Sequence, residues 1–222
     1  MARRYNLLDH ESNEMDVTSS NLEKVLRGCE RILGVEEHDL PKLVPRSKSN
    51  LVGWASSYNS KKRQIEAELS DSEHNIFHEC VHYSMHQDNL LMTETVADDA
   101  PLLEMVYAHL IDETIAEFAT YGVWGYNPEE VGVPVENELA DALIDNDNLE
   151  RIEDLVLSLG ESPFLNTDYW TAIRVVAIQN AKALQVEPSE LVNAIKDAQE
   201  RYSSPIEIYQ AIRNLNDLQP QL

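Results

Sequence analysis

Phe77-His78-Glu79-Cys80-Val81-His82 is the stretch on which the reading of this chain turns. On a helix, residues four apart share one face, one turn up. His78 and His82 can therefore offer imidazole nitrogens to a single ion. Zinc accepts such ligands in a tetrahedron at about 2.0–2.1 Å. Glu79 flanks the pair and can reach a metal-bound water, so it is the candidate general base. The surroundings favour a helix. Ser70-x-x-Glu73 fits a capping box, Ile76 and Phe77 bring apolar residues to the motif, and the helix is predicted to run to about Gln87.

Just upstream, residues 51–58 read as a strand and Asn59-Ser60-Lys61-Lys62 as a turn. Arg63 to Leu69 then alternates. Ile65, Ala67 and Leu69 lie on one face, and Gln64, Glu66 and Glu68 on the other. This is the pattern of a β-hairpin with one wet face. Downstream, a polar loop from Asp88 to Ala100 leads to Pro101, which suits the first turn of another helix. That helix carries Leu102, Leu103, Val106, Leu110, Ile111, Ile115 and Phe118, and is predicted to end near Gly122.

A catalytic zinc needs a third protein ligand and one open position. The second helix offers Asp112-Glu113-Thr114-Ile115-Ala116-Glu117-Phe118, thirty residues beyond His82. With this string the chain resembles the gluzincins, the thermolysin-like and aminopeptidase N-like zinc peptidases, over about residues 20–122. The aminopeptidase-type asparagine and glycine are replaced by Asp112 and Thr114, so the minimal gluzincins are the nearer likeness. The resemblance implies one zinc ion per chain, Glu113 as its third ligand, and Glu117 as the acid that supports a zinc-binding histidine. Metal-bound imidazoles usually donate their other N–H to a carboxylate or carbonyl, which agrees. It also implies an edge strand beside the HExxH helix that binds substrate backbone by β-augmentation. Gly53, Trp54, Ala55 and Ser56 are the residues expected there.

Other histidines compete less well. His74 and His86 extend the ladder of four, but each rung drifts by about 40°, so neither end points with the central pair. His109 lies one turn before Glu113 and could reach the cleft, as a neighbour more readily than as a ligand. Cys80 points away from both histidines and is expected in the core. Tyr121, Tyr126, Tyr169 and Tyr202 are all available to donate to a tetrahedral oxyanion, and the sequence does not choose among them.

The rest of the chain reads mostly as helix. Leu22, Val25, Leu26, Cys29, Ile32 and Leu33 recur at helical spacing from Asn21, and Gly34 closes the pattern. After Gly125 and Pro128 helices are expected at about 136–145, 149–159, 168–185, 188–201 and 205–215, the last opened by Ser204-Pro205-Ile206-Glu207. The fold class is α+β: a small zincin-like head of helix, hairpin, HExxH helix and glutamate helix, with an all-α C-terminal tail. The expected divisions are a polar segment 1–20, a core 21–122 and a helical subdomain 123–222.

Composition narrows the function. Forty acids against seventeen bases give a net charge of −23. Phosphate contacts need Lys and Arg, so nucleic acid is an unsuitable partner. No run approaches the eighteen or so apolar residues of a membrane span, and no apolar stretch follows the basic N-terminus as in a signal peptide. Cys29 and Cys80 read as two buried thiols rather than a disulfide framework. The acid excess points to a cytoplasm at molar salt, where the Debye length falls to about 3 Å and self-repulsion is screened. Between Leu40 and Ile65 the charge reverses locally. There is no acid there, but Lys42, Arg46, Lys48, Lys61, Lys62 and Arg63 are present. These bases either neutralise the acidic body or dock acidic substrates or partners. The expected function is a zinc-dependent peptidase acting on peptides or proteins. The alternative is a zinc-binding regulatory domain that keeps the site without turnover.

Overall fold

A computed structural model of the chain describes residues 19–45, 56–67, 73–97, 99–125, 137–146 and 148–215. Gly53, Trp54, Ala55, Arg46, Lys48, Ser70 and Tyr126 lie outside the described residues, and so does the capping box placed at Ser70. The architecture is α+β, mostly helical, with one small sheet. In chain order come α1 (Ser19–Leu33), β1 (Lys42–Pro45), β2 (Ser56–Asn59), β3 (Gln64–Ala67), α2 (Glu73–Gln87), α3 (Met92–Thr95) and α4 (Leu102–Trp124). The tail then adds α5 (Glu138–Asp145), α6 (Leu149–Ser158), α7 (Thr167–Ala183), α8 (Pro188–Arg201) and α9 (Pro205–Arg213).

The expected hairpin is present, with differences. β2 and β3 pair antiparallel, Ser56 opposite Ala67 and Asn59 opposite Gln64. The connection is a short 3-10 helix, Ser60–Lys62, rather than an open turn. The Asn59 side chain accepts from the Lys62 N–H at 3.1 Å, and Arg63 turns the chain with a left-handed φ of 50°. A third strand, β1, joins β3 in parallel, Lys42 opposite Gln64. Among the described residues the order is β1-β3-β2, with β2 at an edge.

α4 is the centre of the molecule. Val106, Tyr107, Ala108, Leu110, Ile111, Ile115, Ala116 and Ala119 are all buried. They face more than one direction, as in a helix enclosed on several sides. α2, α7, α8 and α9 pack around it. The ends of α4 are set by Pro101 in front and by Gly125, whose φ of 72° turns the chain out of the helix. That is three residues beyond the expected stop at Gly122. The α3 turn was not expected in the polar loop before α4. The five tail helices lie where the periodicity placed them, to within two or three residues at each end. α9 starts as its sequence suggests, with Pro205 in the first turn and the Ser204 hydroxyl accepting from the Ile206 N–H at 3.3 Å. Cys29 and Cys80 are both buried and free. No helix among the described residues is long and apolar enough to cross a membrane.

Candidate metal centre

α4 places polar side chains in the core, and buried polar groups need partners. The partners explain the arrangement. Asp112 accepts from the Met92 N–H at 2.7 Å, the Thr93 N–H at 3.0 Å and the Thr93 hydroxyl at 2.8 Å. It thereby pins the first turn of α3 beside the cleft. The Thr120 hydroxyl donates to the Ala116 carbonyl. Glu113 and Glu117, one turn apart, face α2.

On α2 one face is core and the other is site. Ile76, Phe77, Cys80, Val81 and Met85 are buried on the apolar side. Full burial of a side chain like Phe77 contributes about 1.5–3 kcal/mol, which holds the opposite face against α4. On that face His78 Nε2 lies 3.2 Å from His82 Nε2. Glu113 meets both imidazoles, one oxygen 3.3 Å from His78 Nε2 and the other 3.3 Å from His82 Nε2. One donor atom from each of the three residues can be chosen so that all lie within 4.8 Å of one another. Two imidazoles and a carboxylate are a donor set of the kind that can hold a metal ion. Among the described residues it is the one such cluster of three or more metal-ligating groups.

The three groups also act on one another as charges, pairing carboxylate with imidazolium. Burial disfavours a charged His82, but the neighbouring Glu113 outweighs it and raises the imidazole to about 9. His78 moves up for the same reasons. Burial alone would raise Glu113, yet the two imidazoles hold it well below the ordinary carboxylate range.

Glu117 is buried and sits 3.9 Å from His78 Nδ1, the nitrogen turned away from the cluster. Its Oε1 also accepts from Arg174 Nε of α7 at 3.1 Å. Glu79 lines the same cleft as His78 and His82, and the Ser56 hydroxyl donates to its Oε1 at 3.3 Å. Ser56 therefore ties the edge strand to the candidate base.

The cleft has a volume of about 350 Å³ and runs between β2 and the α4–α7 wall. Ser56, Ser57 and Tyr58 line one side, and His109 and Trp170 the other. The rival histidines have separate attachments. His74 pairs with Asn75. His86 Nδ1 meets the Tyr58 hydroxyl at 2.6 Å. His109 Nδ1 lies 2.8 Å from the Tyr169 hydroxyl, and burial lowers its imidazole to about 4, so it stays neutral. Of the described tyrosines raised as oxyanion donors, Tyr121, Tyr169 and Tyr202, none lines the cleft, and Tyr169 bonds the lining residue His109. Sequence reasoning did not single out Tyr58, Asp112, Trp170 or Arg174. Trp170 is fixed by its indole N–H, which donates to the Phe164 carbonyl at 2.8 Å. An acid at 117 in a helix core signals that some cation must approach it, but nothing in the string names Arg174.

Comparison with protein-family models, with curated proteins and with solved structures finds no match to this chain.

Proposed function

We propose that this protein is a zinc-dependent peptidase, with His78, His82 and Glu113 as the zinc ligands and Glu79 as the general base. The observation that carries the reading is the donor cluster itself: two imidazoles and a carboxylate at 3.2–3.3 Å, with Glu79 in the same cleft. Bound there, zinc would supply an acidified water and a polarised carbonyl. Glu79 takes the proton from the attacking water and hands it to the departing amine. The Ser56 hydroxyl holds the Glu79 carboxylate in place for both transfers. The outer edge of β2 takes the substrate backbone as an added strand, and Ser56, Ser57 and Tyr58 bring it past Glu79. Glu117 holds His78 by its Nδ1 side and so fixes the ring.

The acid excess supports a companion proposal, that the protein works in a cytoplasm at molar salt. The experiment for the main reading is metal analysis of purified protein together with a peptide-mixture digest read by mass spectrometry, before and after chelation. One zinc per chain with chelator-sensitive cleavage is the expected result. Zinc without cleavage would move the protein to the class of zinc-binding domains without turnover. Absence of zinc would reject both.

A further inference from the structure

We propose that Lys61, Lys62 and Arg63, with Lys42 beside them, form a docking site for acidic segments of the peptides this cleft takes. The inference rests on the peptidase reading and names its substrate class. The basic strip spans 24 residues of sequence, but the fold draws its two described ends together. The Lys42 N–H donates to the Arg63 carbonyl at 3.3 Å, because β1 runs parallel to β3. The 3-10 helix then presents Lys61 and Lys62 next to Arg63. The turn is closed by two hydrogen bonds, Lys62 N–H to the Asn59 side chain at 3.1 Å and Arg63 N–H to the Ser60 carbonyl at 3.1 Å. The cations therefore sit on a defined support.

All four side chains are exposed. Among the described residues none of them forms an ion pair, in a chain whose net charge is −23. The turn also touches the cleft. Ser60, its first residue, is part of the lining. Burial raises the Tyr58 hydroxyl to about 12, and the Arg63 charge pulls it the other way, so that charge acts on the cleft wall. Glu94, exposed on the facing wall, acts on the same tyrosine with the opposite sign.

Geometry sets the register. A backbone added along β2 covers its four residues at about 3.3 Å each, roughly 13 Å from Ser56 to the turn. The Ser56 hydroxyl is hydrogen-bonded to Glu79, the proposed point of cleavage. Acidic residues about three to five positions from that bond come level with the turn. The body repels acidic peptides at long range, and the turn provides a local attraction.

The test uses the full chain and two fluorescent decapeptides, one with three consecutive glutamates at that spacing and one with glutamines in their place. Binding is read by anisotropy on zinc-loaded Glu79→Gln protein, and cleavage on the parent. The variants are Lys61→Glu/Lys62→Glu/Arg63→Glu and the milder Lys61→Gln/Lys62→Gln/Arg63→Asn. The control, Lys24→Glu/Arg151→Glu/Arg201→Glu, makes the same charge change on exposed bases that do not line the cleft. Three exposed pairs predict about tenfold weaker binding of the glutamate peptide to the charge-reversed variant. The neutral variant loses less, the glutamine peptide changes less than twofold, and the difference fades in molar KCl. Equal affinity for both peptides, no binding of either, or the same loss in the control overturns the docking site. If the parent cleaves neither peptide while the binding preference holds, the peptidase reading fails and the docking surface stands.

Discussion

In a Glu113→Gln variant the side chain keeps its size and loses its charge, so the change isolates the carboxylate as a ligand. Glu113 is one of three donors, and each of its oxygens lies 3.3 Å from a different imidazole. Structural zinc sites with four protein ligands bind with about 10–16 kcal/mol near neutral pH, or about 2.5–4 kcal/mol for each ligand. At 1.4 kcal/mol per factor of ten, removing one ligand should weaken zinc by about 10²–10³-fold. Glutamine can still present a carbonyl oxygen, which places the expected result toward the lower figure. The assay is competition with a chromophoric chelator at neutral pH, with circular dichroism melts of the metal-free proteins to confirm folding. Zinc affinity within threefold of the parent, in a folded variant, would refute the assignment of Glu113 and leave the pair of histidines without their third ligand.

Five further outcomes are expected. Protons compete with zinc for His82, which is raised to about 9 against burial by Glu113. Apparent affinity should therefore climb with pH toward 9 with proton release, read by calorimetry in buffers of different ionisation enthalpy. In the metal-free protein the same shift contributes stability that is fully present below about pH 6.5 and lost as pH rises through about 9, measurable by denaturant titration. Glu117→Ala should lower zinc affinity by about 10–100-fold without emptying the site, and unchanged affinity would detach Glu117 from His78. Arg174→Met should cost about 2 kcal/mol, below the full cost of a broken buried pair because Arg174 is a third exposed. That is a Tm lower by about 4–8 °C, and an unchanged Tm would remove the pair from the account of the core. Tm should rise with KCl up to molar concentration, because the −23 charge is then screened; a flat or falling Tm would remove the molar-salt reading.

What was legible in the sequence is what local periodicity encodes. Leu22 through Leu33 marked α1, and the Ser204-Pro205-Ile206-Glu207 start marked α9. The alternation of Ile65 and Ala67 with Glu66 gave β3. Lys42-Leu43-Val44-Pro45 did not announce a strand. It is short, it ends in proline, and its partner β3 lies some twenty residues on in a parallel pairing that leaves no turn signature. Met92-Thr93-Glu94-Thr95 is a single turn, too short for a period to show, and it is held by Asp112 from another helix. At the site, the i, i+4 spacing placed His78 over His82 without any tertiary information. The approach of Glu113 follows from two helices crossing, which the resemblance implied and the residues alone did not fix. The contacts from the tail were out of reach, since Arg174 meets Glu117, and Tyr169 meets His109, only after α7 packs on α4.

In the proposed peptidase one residue moves protons and three others hold the metal, and the Glu79→Gln variant separates the two roles. Glu79 lines the cleft beside His78 and His82 but is not among the three clustered donors. Zinc content and peptide cleavage should be measured on the same preparation of this variant and its parent. One zinc per chain is expected in both, with cleavage by the variant lower by about 10²–10⁴-fold, the scale of a lost general base. Cleavage retained at the parental rate, with zinc still bound, would contradict the role given to Glu79.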